Sequence, residues 1–180
     1  MFLTAFLLAP ALLAAPAAAQ DWTVDHEAST VGFETQAMGG TINGTFSNWS
    51  ADITLDPHDL DAATIAAEVV TASADTGNGE VDRSLLSSAG LAPDTHETAT
   101  FVSDDIRATN DGYAAHGSLT IKGQARDVVL PFTLAISDGR AVADGTLDIA
   151  RTDFGVGGSS WGDAGAAVTL VLHIEADAAD

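Results

Sequence analysis

The chain contains no cysteine. Thiolate metal sites and thiol redox chemistry are therefore excluded, and an exported chain of this kind has to stand without disulfides. Positive charge is almost as scarce: 6 Lys and Arg stand against 26 Asp and Glu, a formal net charge of −20. A surface this acidic repels phosphate backbones and anionic headgroups, which argues against nucleic acid and membrane-surface partners. The acids are scattered through turns and polar strand faces, so they serve solubility and identify no partner. G-x-G-x-x-G is absent, and the 5 histidines form no H-x-H, H-x₃-H or H-E-x-x-H spacing. No phosphate cradle, metal site or cofactor is expected from these patterns.

What is present begins with an apolar, uncharged leader, MFLTAFLLAPALLAAPAAAQ, ending in Ala17-Ala18-Ala19. The small-x-small ending reads as a signal peptidase site after Ala19, so residues 1–19 are expected to be a signal peptide and residues 20–180 one exported domain. Pro10 and Pro16 interrupt the leader and no later segment could span a bilayer, so an integral membrane protein is not expected. Periplasmic or secreted localisation follows from the leader.

Beyond the leader the dominant feature is a two-residue apolar beat. Val128, Leu130, Phe132, Leu134 and Ile136 share one parity, which returns in Leu119/Ile121, Leu147/Ile149 and Val168/Leu170/Leu172/Ile174. Successive strand side chains point to opposite faces, so each run offers one oily face. Strands are expected at 22–25, 30–36, 41–46, 49–55, 64–72, 98–106, 113–122, 126–137, 140–151 and 166–175. The turns Asn110-Asp111-Gly112, Lys122-Gly123-Gln124 and Asp138-Gly139 are short enough to join neighbours as hairpins. Asn78 to Ala89 changes period. Val81, Leu85, Leu86 and Ala89 mark one face of a short helix, Asn78 can cap it, and Glu80 and Asp82 lie in its first turn. The fold class is all-β: an antiparallel barrel of about eight strands with one short helix near one end. Such a barrel either fills its interior with side chains or encloses a ligand.

Few residues offer chemistry. Gly158-Ser159-Ser160-Trp161-Gly162 matches G-x-S-x-G, with Asp163 and His173 following, but a strand follows it where a nucleophile elbow needs a helix. Asp104 and Asp105 point to opposite strand faces and make a poor acid/base pair. No catalytic residue is assigned. Arg151 continues the inward parity of Leu147 and Ile149, with Asp153 on the same side, so it should point towards the barrel mouth. Two readings stand: a structural ion pair with an acid, or a cation for a polar ligand head. Arg83, on the helix, is a second candidate for the rim. The Gly-rich loop from Phe154 to Gly165 is long enough to cover the mouth, with Trp161 closing it. Gly44, Gly117 and Ala115, at inward positions with Tyr113, read as leaving room inside; relief of barrel curvature is the alternative.

Six segments in order resemble one family. They are Trp22-Thr23-Val24-Asp25-His26 with Ser29-Thr30-Val31-Gly32-Phe33, Gly44-Thr45-Phe46-Ser47-Asn48-Trp49, Val81-Asp82-Arg83-Ser84-Leu85-Leu86, Ala99-Thr100-Phe101, Gly117-Ser118-Leu119-Thr120-Ile121-Lys122-Gly123, and Arg151-Thr152-Asp153-Phe154-Gly155-Val156. Together they resemble the YceI-like family of bacterial exported polyisoprenoid-binding proteins, although Ser84 stands where that family usually has Asp. The resemblance implies a lipocalin-like barrel holding a long isoprenoid chain, a polyprenyl diphosphate or a quinone-type tail, with no other cofactor. Inward parity and the loop together nominate Phe33, Ile42, Phe46, Phe101, Leu119, Leu130, Phe132, Leu134, Ile149, Arg151, Phe154, Trp161 and Leu170 as ligand-binding. Two other classes stay open: an enzyme acting on a lipid-like substrate in the same pocket, and a filled barrel used as an interaction module. A homodimer is kept open as its assembly.

Overall fold

The computed structural model describes residues 20–37, 39–162 and 165–179, excepting the side chains of Ser159 and Ser160. The expected leader lies outside the described residues. Among the described residues there are eleven strands: β1 (Asp21–Val24), β2 (Thr30–Ala37), β3 (Gly40–Phe46), β4 (Trp49–Asp56), β5 (Asp59–Val70), β6 (Ala74–Asp75), β7 (Thr98–Thr109), β8 (Gly112–Ile121), β9 (Gln124–Ser137), β10 (Arg140–Ala150) and β11 (Ala167–Ala178). Helix α1 spans Gly79–Leu85, and three short 3-10 turns lie at Thr71–Ser73, Arg151–Phe154 and Gly158–Trp161. Eight of the strands close an antiparallel barrel in the order β1-β4-β5-β7-β8-β9-β10-β11, with β11 returning to β1.

One edge of β11 serves two strands. Its Val168–His173 stretch pairs with β2 and its Ala176–Ala178 stretch with β1, so β1 and β2 lie end to end. Asp25 makes the break between them by accepting the backbone N–H groups of Glu27 and Ala28 at 3.1 and 3.2 Å. Ser29 bridges it: its hydroxyl donates to the Glu175 carbonyl and accepts the Glu175 N–H at 2.9 Å. Beyond β2 the sheet continues into β3 and the two-residue β6, whereas β4 pairs with β1 at the other end. The wall therefore parts on the β3 side, and that parting positions the site.

The inward parity carries across strands through the register. Leu147 pairs with Leu170, Leu170 with Phe33 and Phe33 with Gly44, while Ile149, Val168, Thr35 and Ile42 form the next row. A bulge between Ser103 and Asp105 shifts parity in β7, turning both Phe101 and Ile106 into the core. Ile136 departs from the series to which it belongs in the sequence. It is 42% exposed, next to the Asp138-Gly139 turn, although its cross-strand partner Ala141 is buried.

Two boundaries differ from expectation by more than three residues. β5 starts at Asp59 instead of Thr64, because Asp56-Pro57-His58-Asp59 is a tight hairpin turn with Asp56 accepting the His58 N–H at 2.8 Å. α1 stops at Leu85, short of Ala89. Asn78 caps its start by accepting from Glu80 and Val81, but the Ser87 hydroxyl donates to the Ser84 carbonyl and Leu91 N–H closes on Leu85 O at 2.7 Å. Such local side-chain bonds offer the backbone an alternative to further helical turns. Gly90 is required there, since a Cβ would lie 2.0 Å from the Leu85 carbonyl oxygen.

Neither glycine expected to leave room does so. A Cβ on Gly44 would fall 2.3 Å from the Phe33 ring, which occupies that space. On Gly117 it would fall 2.3 Å from the Val102 carbonyl oxygen and 2.8 Å from Ser103 Cα, where β7 bulges towards β8. A neighbouring ring accounts for the first and close strand approach at a bulge for the second. Ala115 is fully buried, and Tyr113 stacks on Phe132 with centroids 5.4 Å apart.

The outer face at the β1/β2 break carries an ionic cluster. Arg140 reaches Asp25 at 2.8 Å, Glu175 at 2.8 Å and Asp177 at 3.1 Å, tying β10 and β11 to the loop after β1. Asp25 and Glu175 are held below the ordinary carboxylate range, chiefly by the Arg140 guanidinium. His173 Nδ1 sits 2.7 Å from Asp144 and Nε2 sits 3.2 Å from Glu175; these carboxylates, Asp144 foremost, raise its pKa.

The two glycines and the histidine each lead to a measurable expectation. Gly117→Ala should destabilise by about 3 kcal/mol and Gly44→Ala by about 1, because backbone cannot yield as a Phe ring can. Urea unfolding checks this, and equal costs would refute the bulge argument. His173 has a raised folded pKa, so its stabilisation is complete below the unfolded value of about 6.5 and is lost as pH rises through the folded one. The melting temperature of the parent chain should exceed that of His173→Gln at about pH 5.5, and the two should converge by about pH 9. A gap that widens with pH would show the ring to be neutral in the cluster.

Candidate lipid cavity

Two adjoining cavities occupy the barrel and its parted side. The inner one, about 220 Å³, lies within the barrel; Phe101, Leu119, Leu130, Phe132 and Leu134 line it together with Trp22, Ile53, Ile65 and Leu172. The outer one, about 540 Å³, lies between β2, β3 and β11 on one side and α1 and the 3-10 turns on the other. Phe33, Ile42, Ile149, Arg151, Phe154 and Trp161 line it. Phe46, Leu91, Ile121 and Leu170 belong to both linings and form the neck between them. Every residue nominated from the sequence thus stands on one lobe or the other. The outer volume suits a small-molecule site; the walls of the inner lobe are almost wholly hydrocarbon, and those of the outer lobe are chiefly so.

Sequence reasoning missed most of the roof. Val81, Leu85, Leu91 and Val156 close the outer lobe from above. The helical period points to Val81 and Leu85. Leu91 carries no such signal, because it follows the helix in a loop. Exposed Asn78, Glu80 and Ser84 of the helical segment, with Gly162 of the loop, supply the polar rim. Arg83 is exposed and falls outside the lining, since α1 turns Glu80, Val81, Ser84 and Leu85 towards the cavity instead.

Arg151 takes its place from a turn and not from strand parity. β10 ends at Ala150 and Arg151 opens a 3-10 turn, so the two-residue alternation lapses there: Arg151 is 7% exposed while Asp153 is exposed. Its Nε donates to the Gly165 carbonyl at 2.9 Å and its Nη1 to the Val156 carbonyl at 2.8 Å. Its guanidinium carbon lies 5.3 Å from the Trp161 ring centroid, within cation–π range. Gly157 permits this arrangement. Its φ is +83°, and a Cβ would come within 2.4 Å of the indole and 2.6 Å of Arg151 Nη1. The loop is thereby fastened over the outer lobe from beneath.

A second cation fastens the roof from the side. Lys122 and Gly123, both at positive φ, form the turn between β8 and β9. From that turn the Lys122 ammonium donates to the carbonyls of Ser88 at 2.8 Å, Ala89 at 3.1 Å and Gly155 at 3.1 Å. The Gly157 N–H donates to Ala89 O at 2.7 Å. The segment after α1, the β8–β9 turn and the Arg151 loop thus meet at one point.

The G-x-S-x-G segment is a 3-10 turn leading into β11, without the helix an elbow needs. Asp163 lies outside the described residues. The His173 ring is on the outer face with Asp144 and Glu175, away from the cavity lining.

Known proteins share this fold. A solved structure of BcnA from Burkholderia cenocepacia superposes with a TM-score of 0.81 at 29% identity, over 84% of this chain and 98% of that one. A polyisoprenoid binding domain from Saccharophagus degradans, implicated in plant cell wall breakdown, has the same fold at 14% identity, with a TM-score of 0.69 over 88% of this chain and 98% of that one. In sequence, a UPF0312 protein of Ectopseudomonas mendocina is 30% identical, covering 96% of this chain and 95% of the relative. A family model for the YceI-like domain matches residues 22–176, which takes in the barrel, both cationic fasteners and the whole described roof. With that match spanning the site as well as the scaffold, the chain belongs to the YceI-like domain family.

Proposed function

We propose that this protein binds a long isoprenoid lipid, a polyprenyl diphosphate or quinone-type tail, and carries or sequesters it without transforming it. The observation that carries this reading is the pair of joined apolar lobes, about 540 and 220 Å³, whose shape suits a chain threading from the outer lobe through the neck. Each methylene withdrawn from water contributes about 0.8 kcal/mol, so a long prenyl tail repays enclosure after the cost of ordering it. The Saccharophagus degradans domain of the same fold, described as binding polyisoprenoids, supports the choice of tail. Among the described residues no helix is long and apolar enough to cross a membrane. The leader supports action outside the cytoplasm, where such a tail would need shielding from water.

Two experiments test the reading. Leu170→Trp places an indole in the neck, and it should weaken a long polyprenyl chain at least about tenfold while sparing a short prenyl chain that needs only the outer lobe. Native mass spectrometry with both chains, alongside a melting curve, measures this; unchanged long-chain binding by a folded variant would overturn the threading. For export, amino-terminal sequencing of the protein from its native host should find the chain starting after Ala19. An intact Met1 in the membrane fraction would refute the leader.

A further inference from the structure

The rim of the outer lobe assigns the head group. Resting on the isoprenoid reading above, we infer that the ligand's polar end is an uncharged hydrogen-bonding group, of quinone or alcohol type, and that Glu80 excludes a diphosphate.

Of the described residues lining the outer lobe, only Glu80 and Arg151 carry ionisable side chains. Glu80 is exposed at the opening, where a head group would rest. Arg151 lines the same lobe but is buried, its guanidinium engaged with the Val156 and Gly165 carbonyls and the Trp161 ring. Turning it to a diphosphate would strip those carbonyls of their donors, a loss that buried acceptors tolerate poorly. The other nearby cations do not substitute. Lys122 is held by three carbonyls, and Arg83 lies off the lining. The start of α1 offers little, since the Asn78 carboxamide oxygen already accepts the Glu80 and Val81 N–H groups.

A diphosphate would therefore meet a carboxylate at the opening of a chain whose formal net charge is −20. Like charges placed together disfavour binding, and the field of the whole molecule adds to the local repulsion. An uncharged head meets no such penalty. The Asn78 amide nitrogen and the Ser84 hydroxyl are on the same rim and can donate to a quinone carbonyl or a hydroxyl oxygen. A few polar groups set around an apolar cavity are the usual means of fixing a ligand's orientation.

The test compares farnesol, farnesyl diphosphate and a short-tailed ubiquinone on the mature protein, with binding read by calorimetry at low salt. Farnesol and the ubiquinone should bind at least about tenfold more tightly than farnesyl diphosphate, and Glu80→Gln should narrow that ratio by raising diphosphate affinity. Glu80 is exposed, so the variant should keep the parent melting temperature. Farnesyl diphosphate binding as tightly as farnesol, or a ratio unmoved in a folded Glu80→Gln variant, would overturn the head-group assignment and leave isoprenoid binding standing. Failure of all three probes to bind the folded parent chain would overturn the isoprenoid reading and the assignment together.

Discussion

A buried guanidinium must find acceptors, and in this protein its search for them organises the loop above the barrel. Arg151 leaves the end of β10 and takes the carbonyls of Val156 and Gly165, on either side of the loop that it anchors. The loop is too rich in glycine to hold a shape through its own side chains, so the cation supplies the template. Hydrogen bonds to a charged donor are worth about 1.5–3 kcal/mol each, more than neutral ones. Trp161 lies against the same guanidinium, and so a residue of the cavity wall is placed by a residue beneath it. The Gly157 N–H then reaches Ala89, which passes the constraint to the segment after α1.

The barrel was legible because its signal is redundant. Leu119, Leu130, Leu147 and Leu170 each report an inward face independently, and hairpin turns fix which strands are neighbours. A one-residue error would have shown as a conflict between adjacent strands. Arg151 has no such protection. Its expected place at the mouth rested on parity continued past Ala150, where the chain leaves the sheet for a 3-10 turn. Parity extrapolated beyond the last ladder bond has no physical basis, and Asp153 exposes that.

The glycines illustrate a different limit. In sequence, Gly44 and Gly117 look alike, as small residues at inward positions. In the fold one makes way for the Phe33 ring and the other for the backbone of a bulged strand. Which neighbour fills the space depends on tertiary contacts that no local pattern encodes. Leu91 was hidden for the same reason: its burial is decided by where the chain turns after Gly90, and neither strand nor helix periodicity applies there.

The roof's energetics derive from its construction. Seven residues are too few for a helix to stand alone, since nucleation costs more than so short a segment recovers. α1 must draw its stability from Asn78 at its start, from Asp82 accepting the Thr76 hydroxyl and N–H, and from Leu85 packed into the cavity wall. A hydrocarbon chain in the outer lobe would lie against that same face of α1, adding buried contact where the helix has least of its own. A ligand there would therefore couple its binding to the ordering of the roof through Leu85 and Val81. The barrel needs no such help, because its ladders close on themselves, and so the two lobes differ in kind. The inner lobe is a fixed mould, and the outer lobe is a space whose ceiling is held chiefly by two cations and whatever it encloses.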